Sequence, residues 1–406
     1  CHPIEEICEH FHFPIRDLAA AWDATKAFEF TNHLFPLHAG DDEEEEEEGV
    51  VVVGELEANV VRVQKRLRDG IKCTLLYYTS NLNSVNDEMG GSAQILHLKE
   101  EILMEPPTIA HSALLLLGIC DSFRSCILDR DDDGTQLQSI VDGLVRGILS
   151  KQLKNGAFGI EFCSSNDSDN YLQGIEFFPG EAMLSLMHVH ELSTTTTSII
   201  PEIILSNEPS ITRLAILPAM ERAFRFYSDY YYTQDVDINY NIWQVLAFAK
   251  YYDALDHDCT TTTTTTTTTI KEEVKKYILD MCHEICESRS WKHQLRRGKP
   301  FYVNLETVEI ACGLDALAEG IRIAREEQQR EDRDDNDDTL ATAKLFEMHA
   351  KNALYFLEWS VDQVPDGLGK GGLGYGGTQV FEQRLDVTGH AISALVKLRN
   401  ISVLLP

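Results

Sequence analysis

The sequence predicts an all-α protein built from successive antiparallel helical hairpins. Three observations support this fold class. Apolar residues recur at helical spacing along most of the chain, the alternation typical of strands is scarce, and similar turn signals recur at a near-constant spacing. The composition is that of a globular protein, because 43% of the 406 residues are hydrophobic and 25% are charged.

The helical segments are separated by polar turns. Helices are predicted over 15–32, 55–68, 109–126, 136–152, 181–192, 211–232, 238–255, 270–288, 307–325, 339–363 and 387–398. Only 50–53 and 72–78 show an apolar pattern that favours a strand. The chain is therefore expected to bury its core between helices.

Three helix ends share a turn signal in which Asp or Asn precedes glycine. The signals end at Gly70, Gly156 and Gly367, and a glycine at such a position supplies the turn that ends a helix. Their separations are close to multiples of about 43 residues, which is the length of two helices with their loops. The predicted repeating unit is therefore a helical hairpin.

Low-complexity runs interrupt this pattern, and such runs cannot bury apolar surface. We predict a helical extension over 1–54 that carries an acidic loop, followed by one domain over 55–406. Three runs within this domain are predicted loop insertions: 194–197, 260–269 and 326–338.

The charge of the chain restricts its partners. It has 66 Asp and Glu against 35 Lys and Arg, a formal net charge of −31, whereas nucleic-acid binding needs a basic surface. No apolar run reaches the roughly 18 residues that indicate a membrane span. We therefore expect no nucleic-acid partner and no membrane span.

No cofactor or metal is predicted, because the calcium-loop pattern that begins at Asp129 has Ile140 where glutamate is needed. The sequence indicates neither an oligomeric state nor a compartment.

The strongest candidate site residues follow the glycine-rich segment 367–377, which predicts an irregular loop able to approach a ligand closely. Asp386 is predicted to cap the next helix, with His390 one turn later on the same face. Asp386 is a candidate catalytic carboxylate. His390 is a candidate to bind substrate or to orient Asp386. Arg384 and Gln379 are candidate substrate-binding residues. The alternative is a capped helix with a buried histidine.

Two further carboxylates are candidates for catalysis. Glu181 falls in the first turn of a helix, where the macrodipole favours a negative charge, and Glu309 also lies near a helix start. Phe178 and Trp243 are candidate substrate-binding rings. The alternatives are charge complementarity at the helix end for Glu181, a solvated helix face for Glu309 and core packing for Trp243.

Helix pairs of this length, the Asp/Asn-Gly turns, the segment 177–182 and the block 371–398 resemble the α/α-toroid, or six-hairpin, superfamily. Its members include glycoside hydrolases, polysaccharide lyases, sugar epimerases and terpenoid cyclases. The resemblance implies an (α/α)6 barrel and a carbohydrate-active enzyme, in which paired carboxylates at the mouth act on a small-molecule or oligosaccharide substrate. Two alternatives stay open: a terpenoid cyclase with Asp131 or Asp132 facing an apolar cavity, and a non-catalytic scaffold that binds basic partners.

Overall fold

The chain is predominantly helical, and its helices pack against each other. The computed structural model describes residues 18–26, 28, 51–86, 94–103, 106–125, 127–128, 130–162, 172, 174–194, 214–257, 264–289, 291–296, 298–302, 305–330, 337–362, 374–376, 379–383 and 385–401. The predicted helical character is therefore confirmed for this part of the chain.

The described part of the chain contains a helical segment at 18–26 and eleven further helices. These are α1 Val51–Ser80, α2 Glu100–Leu103, α3 Ile109–Arg124, α4 Arg130–Ser150, α5 Phe178–Thr194, α6 Ile216–Thr233, α7 Ile238–His257, α8 Thr264–Glu287, α9 Thr307–Arg330, α10 Asp337–Asp362 and α11 Leu385–Asn400. Three antiparallel hairpins pair β1 Leu82–Asn86 with β2 Gln94–Leu98, β3 His293–Arg296 with β4 Lys299–Tyr302, and β5 Gly374–Gly376 with β6 Gln379–Gln383.

Alternate helices form the interior of the molecule. Helix α3 packs on α5, α5 on α7, α7 on α9, and α9 on α11, while α4, α6, α8 and α10 pack on the flanks of this series. The sequence explains the division. All residues from 109 to 123 of α3 are buried, as expected for a helix that is apolar on every side. Helix α6 instead buries one face, which includes Ile216, Met220 and Tyr227.

The helical segment 18–26 packs between α3 and α11. The indole of Trp22 donates a hydrogen bond of 2.8 Å to Asp121 on α3. On the other side, a Cβ atom at Gly389 of α11 would lie 2.0 Å from the Cβ of Asp23, so only glycine allows this approach. Leu18 and Trp22 are buried in the same core as the other helices. This part of the predicted extension therefore packs against the predicted 55–406 domain.

Three local predictions fail within α1. The strand predictions for 50–53 and 72–78 are wrong, because α1 includes 51–53 and 72–78, and the turn predicted at Gly70 lies inside the same helix. Ile71, Leu75 and Tyr78 are each at most 3% exposed, and their spacing places them on one helical face. Packing of that face against the core outweighs the local preference for a strand.

The predicted insertions contribute to helix ends. Helix α8 begins at Thr264, inside the threonine run 260–269, and the charged run 326–338 includes the end of α9 at Arg330 and the start of α10 at Asp337. Extending a formed helix is far easier than nucleating a new one, so a packed helix can continue into a polar run. The acidic run 41–48 and residues 195–197 lie outside the described residues.

The second turn signal forms the predicted turn. Gly156 has φ +98°, and a Cβ atom there would lie 2.2 Å from the carbonyl oxygen of Arg222, so the turn requires glycine. The third signal, at Gly367, lies outside the described residues. In the glycine-rich segment, Gly374–Gly376 forms strand β5 with a register shift against β6, where an irregular loop was expected. Backbone pairing with β6 accounts for the difference.

Candidate active site

Charged side chains are concentrated in the interior, between the segment 18–26 and helices α3, α5, α9 and α11. The buried members from these elements include Asp23, Asp121, Glu181, His188, Asp315, Glu319 and His390. Burying a charge is unfavourable unless partners compensate for the lost water. A cluster of such groups with perturbed pKa values is therefore a candidate functional site.

Asp121 and His188 form a buried pair across α3 and α5. His188 Nδ1 lies 3.0 Å from Asp121 Oδ1, and Asp121 also accepts hydrogen bonds from Trp22 and from Arg124, the latter at 3.0 Å. Burial tends to raise the pKa of Asp121, but His188, Arg124 and Trp22 outweigh it and hold that pKa far below its usual range. Burial lowers the pKa of His188 more than Asp121 raises it. His188 is therefore neutral at pH 7, donates Nδ1–H to Asp121 and keeps a lone pair on Nε2.

Asp315 and His390 form a second pair across α9 and α11. His390 Nδ1 lies 3.6 Å from Asp315 Oδ2, and Lys397 Nζ lies 2.8 Å from Asp315 Oδ1. Burial tends to lower the pKa of His390, but Cys312, Asp23 and Asp315 outweigh burial and raise it to about 10. His390 is therefore cationic at pH 7.

Glu181 is a buried carboxyl group in the first turn of α5. It is 7% exposed, and its Oε2 atom accepts no hydrogen bond from the described residues. Burial raises the pKa of Glu181 to about 7, although nearby His390 acts to lower it. Glu181 can therefore either donate or accept a proton at neutral pH, as a general acid or base requires.

Two tryptophan rings enclose His390. The ring centroids of Trp22 and Trp243 lie 5.8 and 5.7 Å from that of His390, and both rings are nearly perpendicular to the imidazole. The two indoles are 6.5 Å apart. These rings exclude water from the imidazole and strengthen the electrostatic effect of the neighbouring charges.

A cavity of about 380 Å³ lies beside the two pairs. Asp121, His188 and Asp315 line it. Leu184 also lines it. Glu181 lies one turn before Leu184 on the same face of α5 and is not itself among the lining residues. Ligand sites typically have volumes of about 300–1,000 Å³, so the space suits a small molecule.

Three predicted site residues come together in this interior, namely Glu181, His390 and Trp243. Phe178 begins α5 and packs on the core near Gly174. Glu309 accepts a hydrogen bond of 2.6 Å from the backbone N–H of Glu306 at the start of its own helix. Burial raises the pKa of Glu309.

The other predicted site residues are described only in part or not at all. Asp386 lies in the first turn of α11, which begins at Leu385, so its backbone is inside the helix rather than at the predicted cap. The backbone of Gln379 lies in β6. Their side chains and the whole of Arg384 lie outside the described residues.

Sequence reasoning missed most residues of the interior, including Trp22, Asp121, His188 and Asp315. A usable signal exists for the two aspartates. Each lies within a strongly apolar helical run, 109–123 for Asp121 and 310–318 for Asp315. Asp is almost never fully buried unless it is paired, so an aspartate at such a position indicates a buried partner.

No protein-family model matches this chain, and no curated protein or solved structure shows significant similarity to it. Among the described residues, no helix combines the length and the apolar character needed to cross a bilayer. The same part of the chain holds no group of three or more His, Cys, Asp or Glu residues arranged to bind a metal ion.

Proposed function

We propose that the chain forms an α/α toroid and acts as a carbohydrate-active enzyme. The order of helix contacts supports a closed ring. Helices α3, α5, α7, α9 and α11 contact one another in succession. The segment 18–26 contacts α3 through Trp22 and α11 through Asp23, and so joins the two ends of the series. The flanking helices form the outer layer of this arrangement.

The observation that carries the proposed chemistry is the buried carboxyl of Glu181, whose pKa is near 7 and whose Oε2 lacks a partner among the described residues. Neutral His188 lies on the same helix and lines the cavity. When their surroundings push the pKa values of two neighbouring groups apart, one group can act as the acid and the other as the base. We assign Glu181 as the proton donor and His188 as a base that Asp121 orients.

In glycoside hydrolysis, Glu181 would protonate the departing oxygen as its bond to the anomeric carbon breaks. A second carboxylate would then act as the nucleophile or activate water, and Asp386 is the candidate because it lies one turn before His390 on α11. In a lyase or epimerase, the lone pair on His188 Nε2 would instead take the proton from carbon.

The charged lining of the cavity favours this proposal over a terpenoid cyclase, which needs an apolar cavity. The lining includes Asp121, Asp315 and Glu319, whereas the side chains of Asp131 and Asp132 lie outside the described residues. A non-catalytic scaffold would bind through an open concave surface. It would not need a partly protonated carboxyl such as that of Glu181 in its interior.

The test compares wild type with Glu181→Gln and with Glu309→Gln as the matched control. Each protein is incubated with a panel of oligosaccharides, and the products are followed by reducing-end release, by absorbance of unsaturated sugars and by NMR for epimers. We expect Glu181→Gln to reduce turnover by about 10²–10⁴-fold, the usual contribution of a general acid, and Glu309→Gln to change it less than about threefold. Full activity of folded Glu181→Gln, or inactivity of wild type on every saccharide, would refute the proposal.

A further inference from the structure

The cavity carries an excess of positive charge in a strongly acidic protein. Its lining has five basic side chains, from Lys26, Arg124, Lys250, Lys397 and Arg399, against three carboxylates. The whole chain has the opposite balance, with 35 Lys and Arg against 66 Asp and Glu. The residues that line the cavity are therefore more basic than the chain as a whole.

Most of these cations have protein partners. Lys397 contacts Asp315 and Glu319, each at 2.8 Å, and Lys250 contacts Glu191 at 2.7 Å. Arg399 differs, because it is exposed and forms no ion pair with any described residue. Its guanidinium is therefore available to a ligand that enters the cavity.

The helix macrodipole does not account for the whole set. Lys397 and Arg399 lie in the last turn of α11, where a cation is favourable for the helix itself. Lys250 lies in the middle of α7, which continues to His257, so the dipole of that helix gives no reason for a cation there. Lys250 forms an ion pair with Glu191 instead. Lys250 and Arg399 come from different helices and line one cavity, so an anion held there by Arg399 would also feel the charge of Lys250.

We propose that the cavity binds a carbohydrate that carries an oxyanion, with Arg399 as its main contact and Lys250 as a supporting charge. This inference rests on the proposed function and adds the substrate class. A guanidinium can hold a carboxylate or a sulfate through two parallel hydrogen bonds. A carboxylate identifies the ligand as a uronate, and a sulfate ester identifies it as a sulfated sugar.

The test uses calorimetric titration of the full chain with matched oligosaccharides. Trisaccharides of uronic acids are compared with their methyl esters, which differ only in charge at the same position, and sulfated trisaccharides are compared with their unsulfated forms. We expect wild type to bind at least one acidic form about tenfold more tightly than its neutral counterpart. We also expect this preference to weaken as salt concentration rises.

Two variants locate the contact. Arg399→Gln is expected to remove the preference for the acidic form while leaving the affinity for the neutral form unchanged. Arg225→Gln is the matched control, because Arg225 is also exposed but contacts Glu273 on α8 and does not line the cavity. This control should keep the wild-type preference.

The outcomes separate this inference from the proposed function. Equal affinity for acidic and neutral sugars overturns the inference and leaves the proposed function standing. An acidic preference that survives in Arg399→Gln also overturns it. Failure to bind any saccharide, charged or neutral, refutes the proposed function and the inference with it. Preference for the uronate or for the sulfated form supports the inference and identifies the oxyanion.

Discussion

The two buried Asp–His pairs have the same composition, yet their histidines differ in charge. His188 pairs with Asp121 at 3.0 Å and has a lowered pKa. His390 lies 3.6 Å from Asp315 and has a pKa raised to about 10. The shorter contact thus belongs to the neutral histidine, so proximity to the aspartate does not decide the protonation state.

The groups beyond the paired aspartate decide the protonation state of each histidine. Lys250 and Arg124 add positive charge near His188 and act with burial to lower its pKa. Near His390, Cys312 and Asp23 raise the pKa and outweigh the opposing effect of Lys26. In a water-poor interior, charges beyond the first contact remain strong because little solvent screens them. The comparison teaches that an acid and a base can be built from the same residue pair.

The largest expected effect comes from breaking the second pair. Asp315→Asn should lower the free energy of unfolding by about 3–5 kcal/mol, because it removes a buried counter-ion of cationic His390 and leaves Lys397 with Glu319 alone. Urea unfolding followed by tryptophan fluorescence measures the change. Asp229→Asn, at an exposed position on α6, is the control. A loss below about 1 kcal/mol for Asp315→Asn would show that the pair is not a buried ion pair.

Glu181 should make the fold less stable as pH rises. Its folded pKa of about 7 lies above the ordinary value of 4.5, so the folded state holds the proton more tightly than the unfolded state. Stability from this group is present below about pH 4.5 and is lost as pH rises towards 7, by about 3 kcal/mol in total.

Urea unfolding at pH 5 and pH 8 checks this prediction. Glu181→Gln, which does not titrate, should lose less stability between these two pH values than wild type does. Glu309→Gln, at a half-buried position, should lose nearly as much as wild type. Identical pH dependence in wild type and Glu181→Gln would mean that the carboxyl of Glu181 is solvated.

A smaller effect is expected from the indole that supports the first pair. Trp22→Phe keeps an aromatic ring but removes the hydrogen bond of 2.8 Å to Asp121 Oδ2. We expect a loss of about 1–3 kcal/mol, the range for a buried hydrogen bond to a charged group. The pKa of Asp121 should rise because one donor is gone. Thermal unfolding measures the loss, with Trp291→Phe as the control, because the buried indole N–H of Trp291 has no hydrogen-bond partner among the described residues. Equal losses in the two variants would contradict a specific role for the Trp22 hydrogen bond.

The smallest expected effect tests why His390 is cationic while His188 is neutral. Asp23→Asn should lower the pKa of His390, because it removes one of the anions that raise it, and should leave the pKa of His188 unchanged. Nitrogen chemical shifts of labelled histidines, recorded from pH 6 to pH 10, report both sites. A His188 that titrates together with His390 in wild type would contradict the assignment of one neutral and one cationic histidine.

The sequence predicts features that depend on local residue patterns, but not features that depend on contacts between distant residues. Periodicity predicts α3, α5, α7, α9 and α11 because apolar residues recur at helical spacing in each of them. It cannot predict which helices meet, and the bond from Trp22 to Asp121 joins residues 99 positions apart. Glu181, His390 and Trp243 were identifiable from helix-start position, capping pattern and ring type. Their charges were not, because those depend on neighbours that only the fold brings together.

The segment 18–26 has a consequence for how the chain reaches its native state. This segment precedes its partner Gly389 on α11 by more than 360 residues of chain. Trp22 therefore cannot enclose His390 until α11 has been synthesised. A nascent chain that stops before residue 385 would lack α11 and would leave the cavity open to solvent on that side.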